Sequence, residues 1–179
     1  SHEQLFDNLV YFLKGIMPAC DETGINMAIH PDDPPWDMFG LPRIISNEAN
    51  IEKLFAAVPN PHNGLTFCTG SLGAGRFNDL PKMAAKFAKR IYFAHIRQLK
   101  YMGEIDFKEA GHLTAAGDLN IYEIVRQLVL NGFDGYVRPD HGRNIWGEDG
   151  KPGYGLFDRA LGAAYLNGLF EAIEKSENV

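Results

Sequence analysis

The chain has 179 residues, 45% hydrophobic and 22% charged, enough for one hydrophobic core in a single domain spanning 1–179. Lys plus Arg number 17 against 23 Asp plus Glu, a net charge of −6, which argues against broad electrostatic binding to nucleic acid or an anionic membrane. No run reaches the roughly 20 apolar residues of a bilayer span, and Ser1-His2-Glu3-Gln4 does not open an export signal, so the cytoplasm is the expected compartment. Cys20 and Cys68 lack a Cys-x-x-Cys spacing and imply neither a disulfide framework nor a Cys-rich zinc module.

Leu5, Leu9, Phe12, Leu13 and Ile16 recur at helical spacing and predict an amphipathic helix over residues 3–18. After Gly24, the short apolar run 25–29 reads as a strand that ends at His30 and the turn-forming Pro31-Asp32-Asp33-Pro34-Pro35. Asn47 can cap a helix bearing Ile51, Leu54, Phe55 and Val58, followed by the strand Leu65-Thr66-Phe67-Cys68. Asp79 can cap the next helix, with Pro81 in its first turn and Met83 and Phe87 facing inward, before the strand Ile91-Tyr92-Phe93-Ala94-His95. A long polar loop leads to the stripe Ile121, Ile124, Val125, Leu128, Val129, stopped by Asn131-Gly132. The strand 135–138 and a last helix over about 157–174 complete the chain.

Strands alternating with helices predict right-handed βαβ units around a parallel sheet. A doubly wound sheet commonly carries a Gly-rich first turn, and Ile29-His30-Pro31-Asp32-Asp33 is not one. A (β/α)8 TIM barrel takes about 250 residues, so four strand–helix units correspond to half of one.

His30, Cys68, His95 and Asp140 each fall at, or one or two residues beyond, the C-terminal end of a predicted strand, the end at which parallel sheets build sites. Two imidazoles, a thiolate and a carboxylate suit a divalent transition metal, and ligand chemistry alone admits Zn, Fe, Mn or Co. Taken singly, a strand-end histidine is usually a hydrogen-bonded loop residue and a strand cysteine a small buried hydrophobe; four together favour a metal. Cys20 reads as packing, and His2 and His62 as solvated.

Several segments taken in order carry a specific resemblance. They are His30-Pro31-Asp32-Asp33-Pro34-Pro35, Phe39-Gly40-Leu41-Pro42-Arg43-Ile44, Phe67-Cys68-Thr69-Gly70-Ser71, Phe93-Ala94-His95-Ile96-Arg97, Glu109-Ala110-Gly111-His112 and Arg138-Pro139-Asp140-His141-Gly142. Over nearly its whole length the chain resembles the D-mannonate dehydratase family. The resemblance implies a metal-dependent (β/α)8 barrel that removes water from D-mannonate to give 2-keto-3-deoxy-D-gluconate in hexuronate catabolism. It also implies a divalent metal, Mn2+ ahead of Fe2+, Co2+ or Zn2+, held by His30, Cys68, His95 and Asp140. Members of that family are longer, and the match is to their second half-barrel, so a homo-oligomer or association with an N-terminal half-barrel is expected.

Dehydration of a 2,3-dihydroxy acid needs a base for the C2 proton and an acid for the departing C3 oxygen. His141, beside Asp140, and Tyr154, which matches a family tyrosine, are the candidate pair, with base and acid unassigned. Arg97, His112 and Arg143 are the candidate substrate ligands, the arginines offering planar forks to a carboxylate or vicinal hydroxyls. Arg43, Asp32, Glu109 and Ser71 also lie on rim loops, where salt bridges that merely hold the loops serve equally well as an explanation. Thr69 to Gly75 is Gly-rich but lacks the Lys-Ser/Thr ending of a P-loop and reads as a tight loop allowing close approach to substrate. Two rival readings remain: a TIM-barrel sugar isomerase or epimerase, whose sites are usually richer in carboxylates, and a catalytically silent half-barrel.

Overall fold

The computed structural model describes residues 1–178. Helix α1 spans His2–Thr23, longer than the sequence predicts because Pro18 sits inside it rather than ending it. Buried Leu13, Met17 and Cys20 anchor both sides of the proline, and Gly24 closes the helix at a left-handed φ of 69°. Strand β1 (Met27–Ile29) follows, then α2 (Glu48–Ala57), whose N-cap Asn47 accepts a hydrogen bond from the Asn50 amide.

Strand β2 (Asn63–Cys68) runs into a six-residue helix, α3 (Thr69–Ala74), where a loop was expected. Its glycines do permit close approach, but to protein: a Cβ at Gly70 would meet the Arg97 side chain, and one at Gly73 would meet Leu119. Helix α4 (Leu80–Phe87), capped by Asp79 with a proline in its first turn, leads to β3 (Ile91–Ile96). The expected long loop contains a hairpin, β4 (Leu99–Tyr101) with β5 (Phe107–Glu109), before α5 (Ile121–Leu130). The chain finishes with β6 (Tyr136–Pro139) and α6 (Leu156–Glu177).

The main sheet has the order β1-β2-β3-β6 and is parallel throughout. Alternation along each strand divides its side chains between two faces, with one break on β3 between Ile91 and Phe93, where the register against β2 shifts at Leu65/Thr66. Leu65 and Phe67 of β2 and Ile91, Ala94 and Ile96 of β3 join one core with Ile51 and Leu54 of α2, Met83 of α4, and Ile121, Ile124 and Leu128 of α5. Each of the Leu, Ile, Phe and Met side chains among these contributes ~1.5–3 kcal/mol on burial, so this helix-covered face is the stable base of the molecule. The other face carries Thr66, Cys68, Phe93, His95, Tyr136 and Arg138, and Tyr136 is 82% exposed. Among the described residues nothing pairs with the outer edges of β1 and β6.

Candidate metal and acid–base site

The strand register assembles the site. Cys68 at the end of β2 stands opposite His95 on β3, and His95 stands opposite Arg138 on β6. His30 follows the last residue of β1, and Asp140 follows the last residue of β6, where its amide continues the pairing to the Ile96 carbonyl. Ligand-type atoms of His30, Cys68 and His95 all lie within 4.8 Å of one another. Asp140 closes on two of the three: Oδ2 is 3.6 Å from Cys68 Sγ and Oδ1 is 3.3 Å from His95 Nδ1.

The environment of each group suits a cation. His30 Nδ1 donates to the Pro31 carbonyl at 2.7 Å, which leaves Nε2 as the free lone pair. His95 Nδ1 is buried without a hydrogen-bond partner, a costly arrangement unless something else occupies it. Burial lowers the His95 pKa to about 4, against the opposing pull of Asp140, so the ring is neutral and able to donate a lone pair. The Cys68 thiol is pushed up to about 11 by burial and then by Asp140, although the Ser71 hydroxyl at 3.1 Å and amide at 3.4 Å both donate to the sulfur. A divalent cation would displace that proton. Burial raises the Asp140 pKa, but Arg138, His141 and His95 outweigh it and keep the carboxylate below its ordinary range. Two imidazoles, a sulfur and an ionised carboxylate therefore fit a transition metal.

His141 lies beside this group, with Nε2 3.6 Å from Asp140 Oδ2 and Nδ1 2.9 Å from Glu109 Oε1. The Tyr154 backbone bridges to Gly142, next in sequence to His141, but its ring is 61% exposed, near Lys151 and Arg159. The three candidate substrate ligands have protein partners or packing of their own. Arg97 is only 5% exposed and is bound to Glu109 and Asp33. Arg143 forms a two-pronged pair with the buried Asp158 at 2.9–3.0 Å, rather than presenting a free fork. His112 is buried against Gly162 of α6, with no partner for Nδ1. Of the remaining rim residues, Asp32 accepts from the Ile44 and Ile45 amides and ties down its own loop. His2 pairs with Asp37 and His62 with Asn26, both outside this cluster.

Sequence reasoning passed over Arg138 and gave Glu109 no special weight. Arg138 had a detectable signal, since it sits two residues before Asp140 at the end of a strand and therefore on the same side. Glu109 did not, because its position depends on the hairpin.

A family model described as D-mannonate dehydratase (UxuA) matches residues 1–179. The chain belongs to the D-mannonate dehydratase family. It is 55% identical over 175 residues to the mannonate dehydratase of Thermotoga maritima, a match covering 97% of this chain and 49% of that protein. The crystal structure of mannonate dehydratase from Streptococcus suis serotype 2 superposes with a TM-score of 0.95 at 46% identity, over 99% of this chain and 52% of that one. A xylose isomerase-like TIM barrel protein from Mycobacterium smegmatis, solved in complex with magnesium, matches with a TM-score of 0.70 at 18% identity, over 95% of this chain and 52% of that one. That last likeness concerns the fold, and the four-stranded sheet is part of a TIM barrel. The chain spans about half the length of the curated relatives it matches.

Proposed function

We propose that this chain carries the metal-binding half of a D-mannonate dehydratase, which converts D-mannonate to 2-keto-3-deoxy-D-gluconate and water in hexuronate breakdown. The observation that carries the reading is the meeting of His30, Cys68 and His95 within 4.8 Å, with Asp140 against two of them, in a chain of this family. These four residues would hold the cation, Mn2+ by family resemblance. When bound, it supplies Lewis-acid polarisation of the substrate carboxylate and a hydroxyl.

The chain's own groups handle the protons. His141, half-exposed beside Asp140, and Tyr154, on the adjoining loop, form the acid–base pair for the C2 proton and the C3 oxygen. Arg97 and Arg143 are spent on carboxylates of the protein, so in this reading they act on substrate through the rim they hold, and His112 supports the same rim from α6. The unpaired edges of β1 and β6 support closure of the barrel by further strands, from a longer polypeptide or a second copy.

The test is incubation of the full-length protein with Mn2+ and D-mannonate, with measurement of the 2-keto acid. Formation of the keto acid, lost in Cys68→Ser, is the expected result. Folded, metal-loaded protein that gives no keto acid but converts an aldose to a ketose would replace this reading with a sugar isomerase.

A further inference from the structure

Glu109 ends the second strand of the β4–β5 hairpin, and its carboxylate faces two partners at once. Oε1 lies 2.9 Å from His141 Nδ1. From the other side Arg97 grips the same carboxylate through Nε and Nη2 at 2.6–3.1 Å. Arg97 is itself fixed: Nη1 donates to Asp33 at 2.6 Å, and its backbone N–H and carbonyl both engage the Thr69 hydroxyl at 2.7 Å. Gly70 gives its stem room, since a Cβ there would fall 2.1 Å from Arg97 Cδ.

An ionised carboxylate can only accept hydrogen bonds. Facing Glu109, His141 Nδ1 therefore carries the proton of the neutral ring, and the lone pair is left on Nε2, the atom 3.6 Å from Asp140. A ring protonated on Nε2 instead would place two lone pairs against each other at Nδ1 and turn an N–H toward the site.

We propose that Glu109 is a positioning residue for the dehydration, holding His141 with Nδ1 protonated and Nε2 turned toward the metal rim, while Arg97 and Asp33 hold Glu109. The assignment rests on the dehydratase reading above. The Glu109 carboxylate is taken up by Arg97 and His141, so in this reading its loss reduces turnover and leaves substrate affinity nearly alone. Glu109→Gln is the informative change. An amide keeps one acceptor oxygen, turns the other into an NH2 donor and removes the negative charge, so it can meet His141 Nδ1 either as acceptor or as donor and no longer holds the proton there.

Two measurements on the full-length protein test this. In 15N-histidine NMR of the Zn2+-loaded protein above the titration range of the ring, with His141 assigned by its absence in His141→Asn, Nδ1 should be the protonated nitrogen in wild type. In Glu109→Gln the proton should move wholly or partly to Nε2. In steady-state kinetics with Mn2+, Glu109→Gln should lower kcat on the order of 100-fold while KM stays within about threefold, and it should add nothing in a His141→Asn background. Wild type protonated at Nε2, undiminished kcat in Glu109→Gln, or equal losses in both backgrounds would overturn the proposal. If Glu109→Gln does not fold, the wild-type tautomer decides alone. Wild type with the expected tautomer but no keto acid from D-mannonate would refute the dehydratase reading while leaving the positioning of His141 by Glu109 in place.

Discussion

The two faces of the four-stranded sheet are made by alternate residues of the same strands and do opposite work. Phe67 points into the helix layer and is fully buried among aliphatic side chains; its neighbour Cys68 is just as buried, yet its sulfur meets Ser71, Asp140 and two imidazoles. On β3 the same division separates Ala94 and Ile96 from Phe93 and His95. The lesson is that burial alone does not mark the stabilising residues. One face lowers the free energy of the folded chain, while the other gathers polar groups whose partners are incomplete.

The contrast is sharpest at adjacent positions. Phe67→Ala leaves a cavity in a packed core and should cost ~3–5 kcal/mol, seen as a lower urea midpoint at unchanged slope; a loss below ~1 kcal/mol would mean that the helix layer is loosely packed. The next largest effect belongs to His95 in the metal-free protein. Its folded pKa of about 4 lies below the ordinary 6.5, so the unfolded chain takes up a proton first as pH falls. Stability present above about pH 6.5 is then lost down to about pH 4, by at most ~3 kcal/mol, and urea titrations of His95→Gln should lack that part of the slope.

Cys68→Ser should behave in the reverse manner to Phe67→Ala. Its thermal midpoint without metal should shift by no more than a few degrees, whereas metal affinity falls by at least about tenfold, readable by calorimetry or competition with a chelator. Retained affinity would remove sulfur from the ligand set. The smallest effect is expected outside both faces: Lys86 pairs with Glu48 and Glu52 on the exposed side of the helices, and Lys86→Ala should change stability by less than ~1 kcal/mol.

Much of this arrangement was legible in the sequence. Asn47 and Asp79 announce their helices because their side chains cap the first turn, and the four parallel strands follow from short apolar runs between amphipathic segments. The convergence of His30, Cys68 and His95 was readable from strand ends because parallel strands bring those ends to one rim. What escaped depended on contacts distant in sequence. The Gly-rich segment after Cys68 becomes a helix because the cysteine sulfur caps it through Ser71 and the glycines admit Arg97 and Leu119. The β4–β5 hairpin has only three residues per strand, too few for alternation to stand out in a polar stretch. The two arginine forks looked free because Glu109 and Asp158, which engage them, lie 12 and 15 positions away.

The pairing of Cys68 with His95 across β2 and β3 has a further bearing on how such a centre can change. The sulfur-to-imidazole spacing is inherited from main-chain geometry, and slipping either strand by a single position would send one donor to the opposite side. Swapping apolar residues behind the strands can thus alter thermal tolerance while the spacing of the donor groups stays put. In the proposed cation site, a shift in ion preference would come instead from small groups at the periphery, such as the hydroxyl of Ser71 on Cys68 or the guanidinium of Arg138 on Asp140.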